Sequence, residues 1–235
     1  MNKTSQRKRI PIDLAIFDMD GVIFSGDNFW LELHGEYGTT DQGVALAERL
    51  MERDYGRLAS LVAGRLWKGR PSEPFERLVS QRSYEPDVKR LFAWLNEVGI
   101  RTAVVSSGPE QLALRAKRDL GIDEIRANLV KVTDGTITGH TVINVPDSEK
   151  VRVGLELIEM FGTTAERTMF VGDSDSDAAL VALVGLGVAY AADSPSLLAV
   201  ADVVLDSGQL ADLADLVVGP SSLREADLSI APRPI

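Results

Sequence analysis

Four consecutive apolar residues, Leu14, Ala15, Ile16 and Phe17, run directly into Asp18-Met19-Asp20-Gly21. An uninterrupted apolar run of this kind reads as a strand buried on both faces, as in the middle of a parallel sheet. From residue 23 to about 82 the pattern changes, and no strand-like alternation occurs. Phe29-Trp30, Leu33 and Tyr37, then Val44, Leu46-Ala47 and Leu50-Met51, then Leu58, Leu61-Val62 and Leu66 recur at helical spacing. Pro71 and Pro74 punctuate the end of this block. A βα connection needs only ~2–6 residues. The spacing therefore predicts a separate helical unit over the end of the first strand, where a lid would exclude water.

From Pro86 onward, helical and strand patterns alternate. Val88, Leu91-Phe92, Leu95 and Val98 mark an amphipathic helix stopped by Gly99, and residues 100–105 form a short β-rich run ending at Ser106-Ser107-Gly108. Pro109 suits the first position of a further helix, which extends to about Leu120 and is closed by Gly121. Residues 128–132 and 136–142 flank Asp134-Gly135, a hairpin signal. Ser148 is expected to cap a helix over 149–161 that Gly162 closes. A buried strand over 168–172 then ends in Asp173-Ser174-Asp175-Ser176-Asp177, a helix follows over 178–184, and strands are expected over 186–190 and 203–205 with a helix between them. This alternation predicts an α/β fold: a doubly wound, Rossmann-like, mostly parallel sheet carrying a small α-helical cap inserted after the first strand. The expected division is a core over 1–22 and 83–219, a cap over 23–82, and a mobile or partner-docked tail over 220–235.

Composition changes this picture only by exclusion. The 235 residues, 45% hydrophobic and 26% charged, are those of an ordinary globular chain. No apolar run approaches the ~20 residues that cross a bilayer, so no membrane association is expected. Residues 1–10 are basic but lack an apolar signal core, and they read as a frayed arm of a cytoplasmic protein. With no cysteine there is neither a disulfide nor a thiolate site, and a net charge of −10 argues against nucleic-acid binding.

The candidate chemistry lies at the strand ends. In a parallel sheet, Asp18/Asp20, Ser106/Ser107 and Asp173/Asp177 would converge on one crevice at the carboxyl edge, where α/β sheets bind ligands. The plainer alternative is a strand ending in a polar turn, with an aspartate capping a helix. Clustered carboxylates repel one another unless a cation joins them, and an all-oxygen donor set calls for Mg²⁺. His34, in the helical block, and His140, in the hairpin, read as ordinary core or solvated residues rather than ligands. Lys150 falls in the first turn of its helix, where the macrodipole disfavours a cation. Asp147 and Glu149 could offset that cost, but reaching a carboxylate or phosphate in the crevice explains the position better.

Phe17-Asp18-Met19-Asp20-Gly21-Val22, a strand ending in Ser106, Lys150 ahead of a helix, and Gly172-Asp173-Ser174-Asp175-Ser176-Asp177 resemble, in order, the four motifs of the haloacid dehalogenase superfamily, across nearly the whole chain. The Asp134-Gly135 hairpin and Ala201-Asp202-Val203-Val204-Leu205 resemble its phosphoserine phosphatase-like branch. The resemblance implies that Asp18 is a nucleophile forming an aspartyl phosphate and that Asp20 is the proton donor and acceptor. It implies that Ser106 and Lys150, with Ser107 and Gly108 beside them, hold the phosphoryl oxygens. Asp18, Asp173 and the carbonyl of Asp20 would bind Mg²⁺, Asp177 would ligate directly or through water, and Asp175 would stand outside.

Substrate recognition is implied for Asp27 and for a cap arginine, Arg65 or else Arg57. The family's asparagine after the next strand has no counterpart in Val188-Ala189-Tyr190-Ala191, and Phe29, Trp30 and Trp67 make the cap more aromatic than a small zwitterion requires. The function implied is a Mg²⁺-dependent phosphatase acting on a small phosphorylated metabolite, phosphoserine first, in a chain that could pair as a homodimer. A phosphomutase using the same intermediate and a non-catalytic binding domain are the alternatives.

Overall fold

The computed structural model describes residues 9–220. Residues 1–8 of the arm expected over 1–10, and residues 221–235 of the tail expected over 220–235, lie outside the described residues. In chain order the elements begin with β1 (Ile10–Pro11) and β2 (Leu14–Phe17). Four helices follow, α1 (Phe29–Glu36), α2 (Thr40–Leu50), α3 (Tyr55–Leu61) and α4 (Glu73–Gln81), with a π-helical turn, Val62–Trp67, between the last two. The α/β part then runs α5 (Val88–Glu97), β3 (Arg101–Pro109), α6 (Glu110–Leu120), β4 (Glu124–Thr133), β5 (Thr136–Val142), α7 (Lys150–Met160), β6 (Thr168–Gly172), α8 (Ala178–Val181), β7 (Leu186–Tyr190), α9 (Pro195–Leu198), β8 (Val203–Leu205), α10 (Leu213–Leu216) and β9 (Val217–Val218).

Seven strands form one sheet in the order β5-β4-β3-β2-β6-β7-β8. Every pairing is parallel except that of the β4–β5 hairpin. The hairpin turns on Asp134 and Gly135, whose φ angles of 49° and 69° match the turn in which both central residues are left-handed. β2 lies between β3 and β6, and its four residues are fully buried. Ala15 and Phe17 pack on one face with α5 and α6; Leu14 and Ile16 pack on the other with Val153 and Leu157 of α7 and Leu180 of α8. Helices therefore cover both faces, which is why the strand reads as a continuous apolar run. Phe17 is level with Val104 of β3 and Val171 of β6, so Asp18, Ser106 and Asp173 leave the sheet at nearly the same height.

The helical insert between β2 and α5 is not packed apart from this core. Phe29, Leu33, Leu58 and Trp67 belong to the same apolar cluster as Phe17 and Val104. Three local expectations are corrected. Ile10 does not belong to a frayed arm, because β1 pairs in parallel with β9. Ser148 does not cap α7; residues Asp147–Glu149 form a 3₁₀ turn, and the helix begins at Lys150 without a side-chain cap. Pro109 ends a strand and stands just before its helix rather than inside it.

Asp13, ahead of β2, receives the Arg167 guanidinium from just before β6, at 2.5 Å for Nη2, and Thr163 Oγ1 at 3.1 Å. The hydrogen bonds and charge of Arg167 hold the Asp13 carboxyl below its ordinary value. A depressed pKa stabilises the fold above the unfolded value of about 4 and loses that effect as pH falls through the folded one. Asp13→Asn should therefore cost about 1 kcal/mol at pH 7 in urea unfolding, with the difference shrinking below about pH 4. Equal stability at pH 7, or a difference that persists in acid, would contradict this role.

Candidate active site

Asp18 is the first residue beyond β2, and its N–H donates to Val171 O at 2.9 Å, which fixes it against β6. The chain then turns sharply. Gly21 has φ 72°, and a Cβ there would stand 2.2 Å from Asp173 Oδ2. Only glycine combines that backbone with so close an approach to the neighbouring strand end. Carboxylate oxygens of Asp18, Asp173 and Asp177 all lie within 4.8 Å of one another. Lys150 Nζ sits 3.1 Å from Asp18 Oδ2 and 2.8 Å from Asp177 Oδ1, with Asp177 wholly buried and Lys150 2% exposed.

Asp177 is saturated. Its Oδ1 accepts from Lys150, and its Oδ2 accepts from the backbone N–H groups of Asp173 and Ser174 and from Ser174 Oγ, each at 3.1 Å. It thereby shapes the Asp173 loop. Asp18 Oδ1, by contrast, is buried and has no hydrogen-bond partner. Burial raises the Asp18 carboxyl against the opposing pull of Lys150, and nearby Asp177 raises it further. Asp173 is raised by burial and then by Asp18 and Asp177. Burial works against the Lys150 ammonium, yet Asp177 and Asp18 hold its pKa above the ordinary range. One ammonium among three carboxylates, two of them buried and Asp173 half-buried, leaves an excess of negative charge and a free acceptor, a donor set that fits a hard divalent cation.

Asp20 occupies a different environment. Its Oδ2 accepts the N–H of Phe29 at the start of α1 at 3.2 Å, and its Oδ1 lies 3.5 Å from Arg82 Nη2. Burial raises its carboxyl, with Arg82 opposing. Arg82 is a residue the sequence pattern did not single out. It is buried where the helical insert returns to the core, pairs with Glu32 at 3.1 Å, donates to the Asp27 carbonyl, and lies 5.8 Å from the Phe29 ring centre. No local periodicity marks such a residue, because all its partners are distant in sequence.

After Val105, β3 slips register against β4 until Pro109, and Ser106, Ser107 and Gly108 occupy that irregularity. Ser106 Oγ is buried and accepts the Gly108 N–H at 3.1 Å. A Cβ on Gly108 would stand 3.2 Å from Ser106 Oγ and 3.6 Å from Asp20 Oδ2, so this loop adjoins Asp20. Ser107 Oγ donates to Asp147 at 3.1 Å. Its carbonyl accepts from Trp30 Nε1 at 2.9 Å, Asn128 Nδ2 at 2.9 Å and Tyr55 OH at 3.4 Å. Two of those donors come from the helical insert, which is thus tied to the backbone beside Ser106.

The remaining expected residues separate from this group. Asp27, Arg57 and Arg65 are exposed. None of the three lines the cavity of about 480 Å³ beneath the insert. Arg65 lies on the π-helical turn whose Ala63 and Trp67 face that cavity. Asp175 is exposed and accepts from Ser196 Oγ at 2.5 Å and from Ser194. His34 is buried, its Nδ1 2.8 Å from Thr39 Oγ1, and burial lowers its pKa, so it is a neutral packing residue as expected. His140 is exposed.

An excess of buried negative charge has a measurable cost. A raised carboxyl pKa means that the folded state binds more protons than the unfolded chain, so the penalty grows as pH rises from about 4 toward the raised value. In the presence of a chelator, Asp173→Asn should raise Tm, with little gain near pH 4 and more at pH 8. A lower Tm, or a gain independent of pH, would contradict the repulsion described here.

Comparison with known proteins follows the same outline. The profile of the haloacid dehalogenase-like hydrolases matches residues 15–182. The chain is 33% identical over 214 residues to a phosphoserine phosphatase of Archaeoglobus fulgidus, covering 90% of this chain and 62% of that protein, just under two thirds of its length. It is 30% identical over 204 residues to a phosphoserine phosphatase of Idiomarina loihiensis, covering 85% of this chain and 91% of that one. Among solved structures, a phospho-aspartyl intermediate analogue of phosphoserine phosphatase superposes with a TM-score of 0.70 at 23% identity, covering 94% of this chain and all of the other, a likeness of fold. No helix among the described residues is long and apolar enough to cross a membrane.

Proposed function

The chain belongs to the haloacid dehalogenase-like hydrolases, and from that premise we propose that it hydrolyses small phosphate monoesters through an aspartyl phosphate on Asp18. The observation that carries the reading is Asp18 itself. It is a buried carboxylate at the carboxyl end of the central strand, with one oxygen 3.1 Å from Lys150 and the other without a partner. A phosphoserine phosphatase whose solved structure holds a phospho-aspartyl intermediate analogue shares the fold, and curated relatives carry that enzyme's name.

In the first step an Asp18 oxygen forms a bond to phosphorus as the phosphorus–oxygen bond to the alcohol breaks. Asp20 gives the departing alkoxide its proton, a role suited to a carboxyl raised by burial. In the second step water attacks the phosphorus, Asp20 takes the water's proton, and the bond to Asp18 breaks, releasing inorganic phosphate and restoring the enzyme. Lys150 and Ser106 would neutralise and hold the phosphoryl oxygens. Asp18 and Asp173 would hold Mg²⁺, with the Asp20 carbonyl completing the protein's share and Asp177 acting through its neighbours or a water. Bound there, the ion would lower the repulsion between a carboxylate nucleophile and an anionic ester.

In this reading the helical insert over 23–82 is a cap that screens the crevice from water, tied down by Trp30 and Tyr55 at Ser107. Arg82 orients Asp20 and offsets the charge of Glu32 beside it. Phosphoserine is the substrate that the relatives' names suggest. An acid two residues after the nucleophile serves alcohol leaving groups, which favours phosphate esters over carbon–halogen bonds.

Asp18→Asn should abolish phosphate release from para-nitrophenyl phosphate in Mg²⁺ while leaving the circular dichroism of the fold unchanged. Retained turnover in the variant would remove Asp18 from the nucleophile's role.

A further inference from the structure

Beside the carboxylate cluster, the cavity of about 480 Å³ rises into the helical insert, and its chemistry differs at the two ends. Ser107 and Ser174, the residues next to Ser106 and Asp173 in the chain, line it together with Asp147, while Asp18, Asp20 and Lys150 stand just outside its lining. Its walls in the insert include Trp30, Val44, Met51, Leu58, Val62 and Trp67, and its neutral polar lining includes Asn28 and Thr141. The two indoles stack with centroids 6.0 Å apart, and His34, neutral through burial, backs Trp67 at 4.7 Å. No lysine or arginine lines the cavity among the described residues. The carboxylates that do, Asp147 and Asp175, are engaged by serine hydroxyls.

Resting on the phosphatase reading, we propose that this cavity holds the alcohol portion of the substrate, and that the portion is an uncharged apolar group, alkyl or aryl, rather than an amino acid. A substrate carboxylate brought into this space would lose its hydration without gaining a cation, and it would meet two fixed carboxylates. An unpaired charge in such a setting is strongly disfavoured. A serine-sized group would also leave most of the volume unfilled, whereas about 300–1,000 Å³ lined by apolar and aromatic side chains suits a body the size of an aromatic ring system or a medium-length chain. Val44 and Met51, 43% and 37% exposed, lie at the solvent side and leave room for a longer tail to emerge.

The test is a comparison of kcat/KM, with Mg²⁺, over ethyl, butyl, hexyl and octyl phosphate, naphthyl phosphate and L-phosphoserine. The expected result is a rise of about fourfold per methylene until the cavity is filled, with naphthyl phosphate favoured and phosphoserine below butyl phosphate. Met51→Lys, which sets a charge at the cavity wall, should reduce the octyl-to-ethyl ratio. A series without length dependence, or a preference for phosphoserine, would overturn the inference while leaving the phosphatase reading intact. Hydrolysis of none of the esters would overturn that reading instead. Calorimetric binding of ethyl- and octylphosphonate then decides the cavity separately: tighter binding of the octyl compound with a more negative heat-capacity change supports the apolar site, and equal affinities reject it.

Discussion

Lys150 Nζ, 2% exposed as a residue, is held between Asp18 and Asp177 at 3.1 and 2.8 Å, and the arrangement of the site depends on that contact. Three carboxylates placed this close and this deep would separate or take up protons if left alone, because each loses hydration and repels the others. The ammonium is itself costly to bury and is stable there only because two of those carboxylates face it. Its place at the start of α7, against the sign of the helix dipole, is explained by the same pair. The strand register does the rest: Asp18 and Asp173 emerge from adjacent parallel strands at nearly the same level, and Gly21 allows the intervening turn to touch Asp173. The charge balance is still negative after Lys150 is counted, which is what makes the site receptive to a divalent cation.

The second constraint is the way the helical insert is joined to the core. Its aromatic residues belong to the same apolar cluster as β2 and β3, and two of its side chains donate to the Ser107 carbonyl. Where the insert leaves the core, Asp20 accepts from the first turn of α1; where it returns, Arg82 faces Asp20. Asp20 is thus set by the insert, whereas Asp18 is set by the sheet. Two carboxylates two residues apart consequently have different surroundings, and different surroundings are how a fold assigns them different work.

The parts of this arrangement that can be read in the sequence are those determined by local pattern. β2, β7 and β8 are apolar runs with exact limits, Gly121 and Gly162 close their helices, and Asp134-Gly135 turns its hairpin. The acids and Lys150 are legible because buried charge at strand ends is rare enough to carry meaning. What is not legible depends on partners far along the chain. Arg82 has no periodic signature, and the three donors that meet at the Ser107 carbonyl come from residues 30, 55 and 128. Ser148 looks like a cap until Asp147 is drawn to Ser107 and the turn tightens into 3₁₀ form. Asp27 and Arg65 stand at plausible distances along the sequence, but Asp27 falls in the loop ahead of α1 and Arg65 on the π-helical turn, and both are exposed.

In the proposed reaction Asp18 carries the phosphoryl group between the two steps. That role is tested most directly by quenching a turnover mixture in acid and locating the phosphoryl group by peptide mass spectrometry. The expected result is a transient, acid-stable and hydroxylamine-sensitive phosphate on the peptide containing Asp18, assigned to Asp18 by fragmentation and absent from Asp18→Asn. Phosphate carried by Asp20, Asp173 or a serine instead, or turnover with no phosphorylated enzyme at any time point, would contradict it.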